Sequence, residues 1–145
     1  QCAVLGLPVG VGSPDLGCNV EGVLAQHLFA VPAVKGISFG AGFAFASMRG
    51  SQANDPFYMD GGQVKTRTNH SGGVNGGISN GMPVLFQVAI RPTPSIGQEQ
   101  NTINFSTMED AKLTIQGRHD PCIVHRAVPV IEAAAALAIC ELLGV

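Results

Sequence analysis

The sequence predicts an α+β domain. Three observations carry that prediction. Apolar residues recur at helical spacing in two segments far apart, several short β-prone runs lie between them, and no regular βαβ rhythm links the two kinds. Nineteen glycines and nine prolines supply the punctuation, so turns and irregular loops are many. Of 145 residues, 46% are hydrophobic and 12% charged, which describes one folded domain and excludes a disordered chain.

Along the chain, Ala3 to Leu7 predict a short strand, followed by the loop PVGVGSPDLG. Asn19 is placed to cap a helix running to about Ala30, because Val20, Val23, Leu24, His27 and Leu28 share one helical face. Pro32 ends it. Val34 to Phe39 predict a strand, and Phe43 to Met48 fit either a strand or a short helix. Gly50 to Val64 read as a polar loop and Lys65 to Asn69 as a strand. The Gly-rich SGGVNGGISNGMP precedes a strand from Val84 to Arg91, and PTPSIGQEQN forms a second loop stiffened by Pro92 and Pro94. Lys112 to Gln116 predict a strand leading into GRHDPC, Gly117 to Cys122. Pro129 suits the first turn of a last helix that runs to about Leu143.

Several function classes are disfavoured. A net charge of −2 argues against a general nucleic-acid binder. No apolar run reaches membrane-spanning length, and no secretory signal pattern is present. The run AVPVIEAAAALAICELLGV, broken by Pro129, Glu132 and Glu141, reads as a buried helix. Cys2, Cys18, Cys122 and Cys140 lack CxxC spacing and form no disulfide framework, which favours a reducing, cytoplasmic compartment with Cys140 in the core. The chain opens at Gln1 on an apolar run, so a fragment or processed piece is expected.

Three segments could carry chemistry. No Asp or Glu stands between Asp60 and Glu99, where Lys65, Arg67, His70, Arg91 and the Gly-rich loop lie. Bare amide N–H groups there could cradle a phosphate, or the segment could be a flexible surface loop. It matches neither GxGxxG nor a P-loop. In RPTPS, Arg91 to Ser95, two prolines fix the backbone so that Thr93 and Ser95 point in set directions beside a cation; a plain strand exit is the simpler account. In GRHDPC, Arg118 and Asp120 are two apart and face the same way on an extended segment, with His119 facing the other way. They could form a simple ion pair, or Arg118 could bind an anion while Asp120 exchanges a proton. A metal site from His119, Asp120, Cys122 and His125 fits no zinc spacing, and a Cys122–His125 nucleophilic pair lacks an orienting third group. Arg126, at the start of the last helix, is unfavourable for the helix dipole unless an acid or a ligand meets it.

Taken together, NHSGGVNGGISNGMPVLFQVAIRPTPSI and GRHDPCIVHRAVPVIEAAAALAI closely resemble chorismate synthase, and GLPVGVGSP, AVKGISFGAGF and MRGSQAND match that family in the same order. The resemblance covers nearly the whole chain and implies a single segment, residues 1–145, from the C-terminal portion of a longer family member. It implies a fold of helices packed between antiparallel sheets. It implies a phosphate lyase of the shikimate pathway that converts enolpyruvylshikimate phosphate to chorismate with reduced FMN, and a cytoplasmic homotetramer serving aromatic amino acid biosynthesis. Carried over by position, Asp120 is the proton-moving aspartate near the flavin, and Arg118 contacts flavin or substrate phosphate. Arg91, Pro92, Thr93, Pro94 and Ser95 form a flavin-binding segment in which the family usually has Lys where Arg91 stands. Gly76 is a flavin-contacting glycine, and Pro32 and Ala33 fall where Asn-Ala lies beside the flavin in many members. No resident metal is implied. Other family residues, including two acid–base histidines and an arginine cluster, fall outside the matched part, so the chain alone is expected to be inactive. The alternatives are a non-catalytic folded fragment or a flavin-binding module.

Overall fold

The computed structural model describes residues 1–145. In chain order the elements are β1 (Cys2–Val4), α1 (Val20–Phe29), β2 (Val34–Phe39), a 3-10 helix (Gly42–Ser47), α2 (Gly50–Ala53), β3 (Phe57–Asp60), β4 (Gln63–Thr66), β5 (Val74–Asn75), β6 (Ile78–Ser79), β7 (Val84–Ile90), β8 (Gln100–Asn104), β9 (Glu109–Leu113) and α3 (Val124–Leu143). Helix and strand are mixed, as the α+β expectation requires.

One antiparallel sheet, ordered β1-β7-β2, forms the base. Asn19 caps α1 by accepting from the Gly22 N–H, and the helix then buries Val20, Val23, Leu24 and Leu28. These meet Val84 and Phe86 of β7, Val34 of β2, and Ile131, Ala134, Ala135 and Ala138 of α3 in a single core. The alanines on α3 let the two helices approach closely. His27 Nε2 on α1 and Glu141 Oε2 on α3 add a hydrogen bond at 2.7 Å between the helices.

The helices cover one face of this sheet, and no second sheet lies on their outer side. Val130, Leu137 and Leu143 of α3 are exposed. The expected sandwich of helices between sheets is thus half present. Cys140, expected in the core, is exposed instead, at the rim of an open cavity between α3 and the sheet. All four cysteines are free.

The remaining strands form three separate hairpins. The first, β3–β4, replaces most of the polar loop expected over Gly50 to Val64; it turns on Gly61-Gly62, both at positive φ. The second, β5–β6, turns on Gly76-Gly77, with φ of 59° and 83°. Two successive left-handed residues make a tight hairpin turn that matches strand twist, which accounts for the paired glycines without a ligand. The third, β8–β9, was not foreseen, and β9 ends at Leu113 where a strand to Gln116 was expected. At the start, β1 ends at Val4 and not Leu7, because Gly6 turns the chain at φ 75°. At the end, α3 begins at Val124, so Pro129 lies in its second turn and not its first. Arg126 and Ala127 already donate to the Ile123 carbonyl, so the helix is under way before the proline.

Candidate functional site

β7, the central strand, ends at Ile90 and delivers Arg91 to one end of the sheet. Its N–H donates to the Ala33 carbonyl at 2.7 Å, which ties it to the turn after α1. Ala33 is left-handed, at φ 73°, an uncommon conformation for a residue with a Cβ. Pro32, Ala33 and Arg91 therefore form one local cluster.

The Pro92–Ser95 turn leads from there to GRHDPC. Ser95 Oγ lies 2.9 Å from His119 Nδ1, and His119 Nε2 lies 3.1 Å from the Ile115 carbonyl. A carbonyl only accepts, so Nε2 carries a proton; in the neutral ring the Ser95 hydroxyl donates to Nδ1. His119, expected to face away and matter less, is the residue that joins the two motifs. Thr93 Oγ1, two residues before Ser95, is buried and has no hydrogen-bond partner.

Arg118 and Asp120 do not pair. The Asp120 Oδ2 accepts from Arg126 Nη1 at 3.1 Å, across the first turn of α3. That contact answers the unfavourable placement of Arg126 at a helix N-terminus. Arg91 and Arg118 are exposed and enter no ion pair. His119, Asp120, Cys122 and His125 do not converge as a ligand set, and both His119 nitrogens are already engaged.

Gly76 lies apart from this cluster. The Gly77 carbonyl accepts from Val20 N–H at the N-terminus of α1, whereas Ala33 follows the C-terminus of that helix. Ten residues of helix separate them by about 15 Å. Only an elongated ligand could touch both. A Cβ on Gly76 would meet nothing within 4 Å, while one on Gly77 would lie 2.6 Å from Asn19 Cβ. The cations of the acid-free span also disperse: Lys65 binds Asp60 at 2.6 Å and Arg67 stacks over Tyr58 at 5.1 Å. Asp60 raises the Lys65 pKa.

Asp55 is the polar anchor that sequence reasoning missed. Buried, it accepts from Thr68 Oγ1 at 2.7 Å and from the His70 and Ser71 N–H groups, each at 2.8 Å. Burial pushes its carboxyl pKa up, but these bonds together outweigh that and hold it below the usual value. No local pattern marks it, since its partners lie 13 to 16 residues further on. Burial raises the Glu21 carboxyl, and burial, aided by Glu132 and partly offset by the Ala3 backbone, raises the Cys2 thiol.

A cavity of about 660 Å³ lies between β1, β7 and α3. Its lining is mostly aliphatic and includes none of the motif side chains, so the motif cluster remains the better chemical candidate. Ile90 and Val124 both line it, which sets the ends of β7 and the start of α3 side by side.

The chorismate synthase family model matches residues 1–143. The chain belongs to the chorismate synthase family. A chorismate synthase from Dehalococcoides mccartyi is 51% identical over 142 residues, covering 98% of this chain and 39% of the relative. One from Synechocystis is 48% identical, covering 97% and 39%, and one from Archaeoglobus fulgidus 47% identical, covering 93% and 37%. A crystal structure of chorismate synthase superposes with a TM-score of 0.74 at 29% identity, covering 96% of this chain and 34% of that one. The chain thus spans about two fifths of the length of its curated relatives. No helix is long and apolar enough to cross a membrane.

Proposed function

We propose that these residues are the C-terminal portion of a chorismate synthase and supply one wall of its active site. In the complete enzyme, phosphate and a ring hydrogen leave enolpyruvylshikimate phosphate to give chorismate in the shikimate pathway. The single observation carrying this assignment is the Ser95–His119 contact at 2.9 Å in a chain of this family, since it joins two motifs far apart in sequence.

Reduced FMN fits the residues present. Thr93 Oγ1 is a buried hydroxyl without a partner, Arg91 and Arg118 are cations without an acid, and Gly76 leaves open space above its Cα. Arg91, Pro92, Thr93, Pro94 and Ser95 would hold the flavin, with Pro32 and Ala33 beside it and Gly76 contacting its far end. When bound, reduced FMN supplies transient electron density, so that no net oxidation results.

The chain's own residues do the rest. Arg118 offers a full positive charge to a departing phosphate, which stabilises the developing anion. Asp120 has one carboxylate oxygen held by Arg126, leaving Oδ1 free to hold or pass the proton. The C–O bond breaks with its electron pair on phosphate, the C–H pair becomes the new double bond, and the proton leaves through the protein. A cytoplasmic homotetramer goes with this assignment.

The test uses the full-length enzyme with reduced FMN. Asp120→Asn is expected to retain FMN yet lose chorismate formation by at least about a hundredfold. Turnover near wild type would remove the proton-transfer role. The 145-residue chain alone is expected to give no turnover. FMN binding by that chain without turnover would make it a flavin-binding module in its own right.

A further inference from the structure

We propose that His119 is a positioning residue, a latch that holds the Pro92–Ser95 turn against the Arg118–Asp120 segment through a fixed Nε2–H tautomer. The two segments it joins are poorly supported otherwise. After the Arg91 N–H bond to Ala33, residues 92–98 enter no regular ladder and make no other hydrogen bond to the body of the protein than Ser95 to His119. Pro92 and Pro94 have no N–H to offer. Residues 114–122 likewise lie outside every helix and strand. Each loop is braced by the other, and the imidazole is the brace.

The ring is built in for this purpose. Its Nε2–H is oriented by the Ile115 carbonyl at 3.1 Å, which leaves Nδ1 as the acceptor for Ser95 at 2.9 Å. Gly97 lies against the ring edge, where an added Cβ would come 3.6 Å from Cδ2. Of the three neighbouring side chains, Arg118 is exposed and Asp120 meets Arg126, so His119 alone reaches the Pro92–Ser95 turn.

This inference rests on the flavin assignment only for its functional readout. In the full-length protein, FMN affinity is followed by flavin fluorescence, and loop order by amide exchange at Thr93, Ser95, Ile96, Gly97 and Gln98. His119→Ala is expected to weaken FMN binding about tenfold and to speed exchange of those amides. Adding His119→Ala to Ser95→Ala is expected to cost nothing further. His119→Asn, whose amide occupies the Nδ1 position, is expected to recover most of the affinity, whereas His119→Gln is not. Nitrogen NMR of the wild-type ring is expected to report a protonated Nε2 and an accepting Nδ1.

Independent, multiplicative losses in the double variant, or unchanged exchange in His119→Ala, would overturn the latch. So would a protonated Nδ1 in a neutral ring. If the wild type bound no FMN, the flavin assignment would fall, while amide exchange and the tautomer would still decide the latch.

Discussion

Asp55→Asn isolates the one buried acid whose environment is fully specified. In the wild type, Oδ1 accepts from Thr68 Oγ1 and the His70 N–H, and Oδ2 accepts from the Ser71 N–H. Asparagine keeps the first two acceptances but turns an amide NH₂ toward the Ser71 N–H, so two donors meet. One charge-assisted bond disappears and one buried donor is orphaned, a loss of about 3 kcal/mol. That is a large fraction of the roughly 5–15 kcal/mol by which domains are stable. Asp55→Ala orphans three donors and should cost more. The pH dependence follows from the lowered native pKa. The unfolded state, at about 3.9, binds the proton more readily, so this stabilisation is complete above that value. It is lost as pH falls through the lower native pKa. Urea denaturation from pH 7 down to pH 2 measures both effects. The wild type should lose the Asp55 contribution in the acid limb, and Asp55→Asn should start lower and lack that component. Equal midpoints at pH 7, or an identical acid slope, would refute the account.

Two further predictions separate scaffold from site. A Cβ on Gly40 would overlap the His70 carbonyl, so Gly40→Ala should destabilise by about 3 kcal/mol or prevent folding, as a thermal melt would reveal. Gly76→Ala meets no atom and should cost only the left-handed penalty of about 1 kcal/mol; a fall in FMN affinity beyond that would mark a ligand contact. Arg126→Gln removes an ion pair whose side chains are 65% and 33% exposed, so the melting curve should shift by less than about 1 kcal/mol. Chorismate formation by the full-length enzyme should nonetheless fall about tenfold, because Asp120 loses the group that orients it; unchanged turnover would leave Arg126 with no role beyond the surface.

Where packing is local, the sequence was legible. Asn19, the spacing of Val20, Val23, Leu24 and Leu28, and the strand expected over Val34 to Phe39 each act within a few residues, and the structure follows them closely. The hairpins were harder. Gly61-Gly62 and Gly76-Gly77 gave the turn signal, but the strands beside them are two to four residues long, too short for an alternation to register. The site was half legible. Arg91 to Ser95 and Arg118 to Asp120 were singled out, yet the direction of each side chain depends on partners that no spacing encodes. Asp120 meets Arg126 and not Arg118, and His119 meets Ser95 across 24 residues. Asp55 was invisible because a carboxylate that satisfies backbone N–H groups of a distant turn looks, in sequence, like any acid in a polar loop.

Exposure decides what the motif cluster can do alone. An ion pair as open as Asp120–Arg126 acts in water, where charges 3 to 4 Å apart attract by only about 1 kcal/mol. Expelling phosphate at a useful rate needs cations and a proton acceptor in a dry, fixed setting, where the same charges count several times more. Here Arg91, Arg118, Pro92 and Pro94 face solvent, and the outer side of α3 is equally bare. Under the proposed function, the charges, the loops and the uncovered helix would all be served by one covering surface. A single surface that covers α3 and shields Arg118 would turn a weak exposed pair into an oriented acid and an effective anion site.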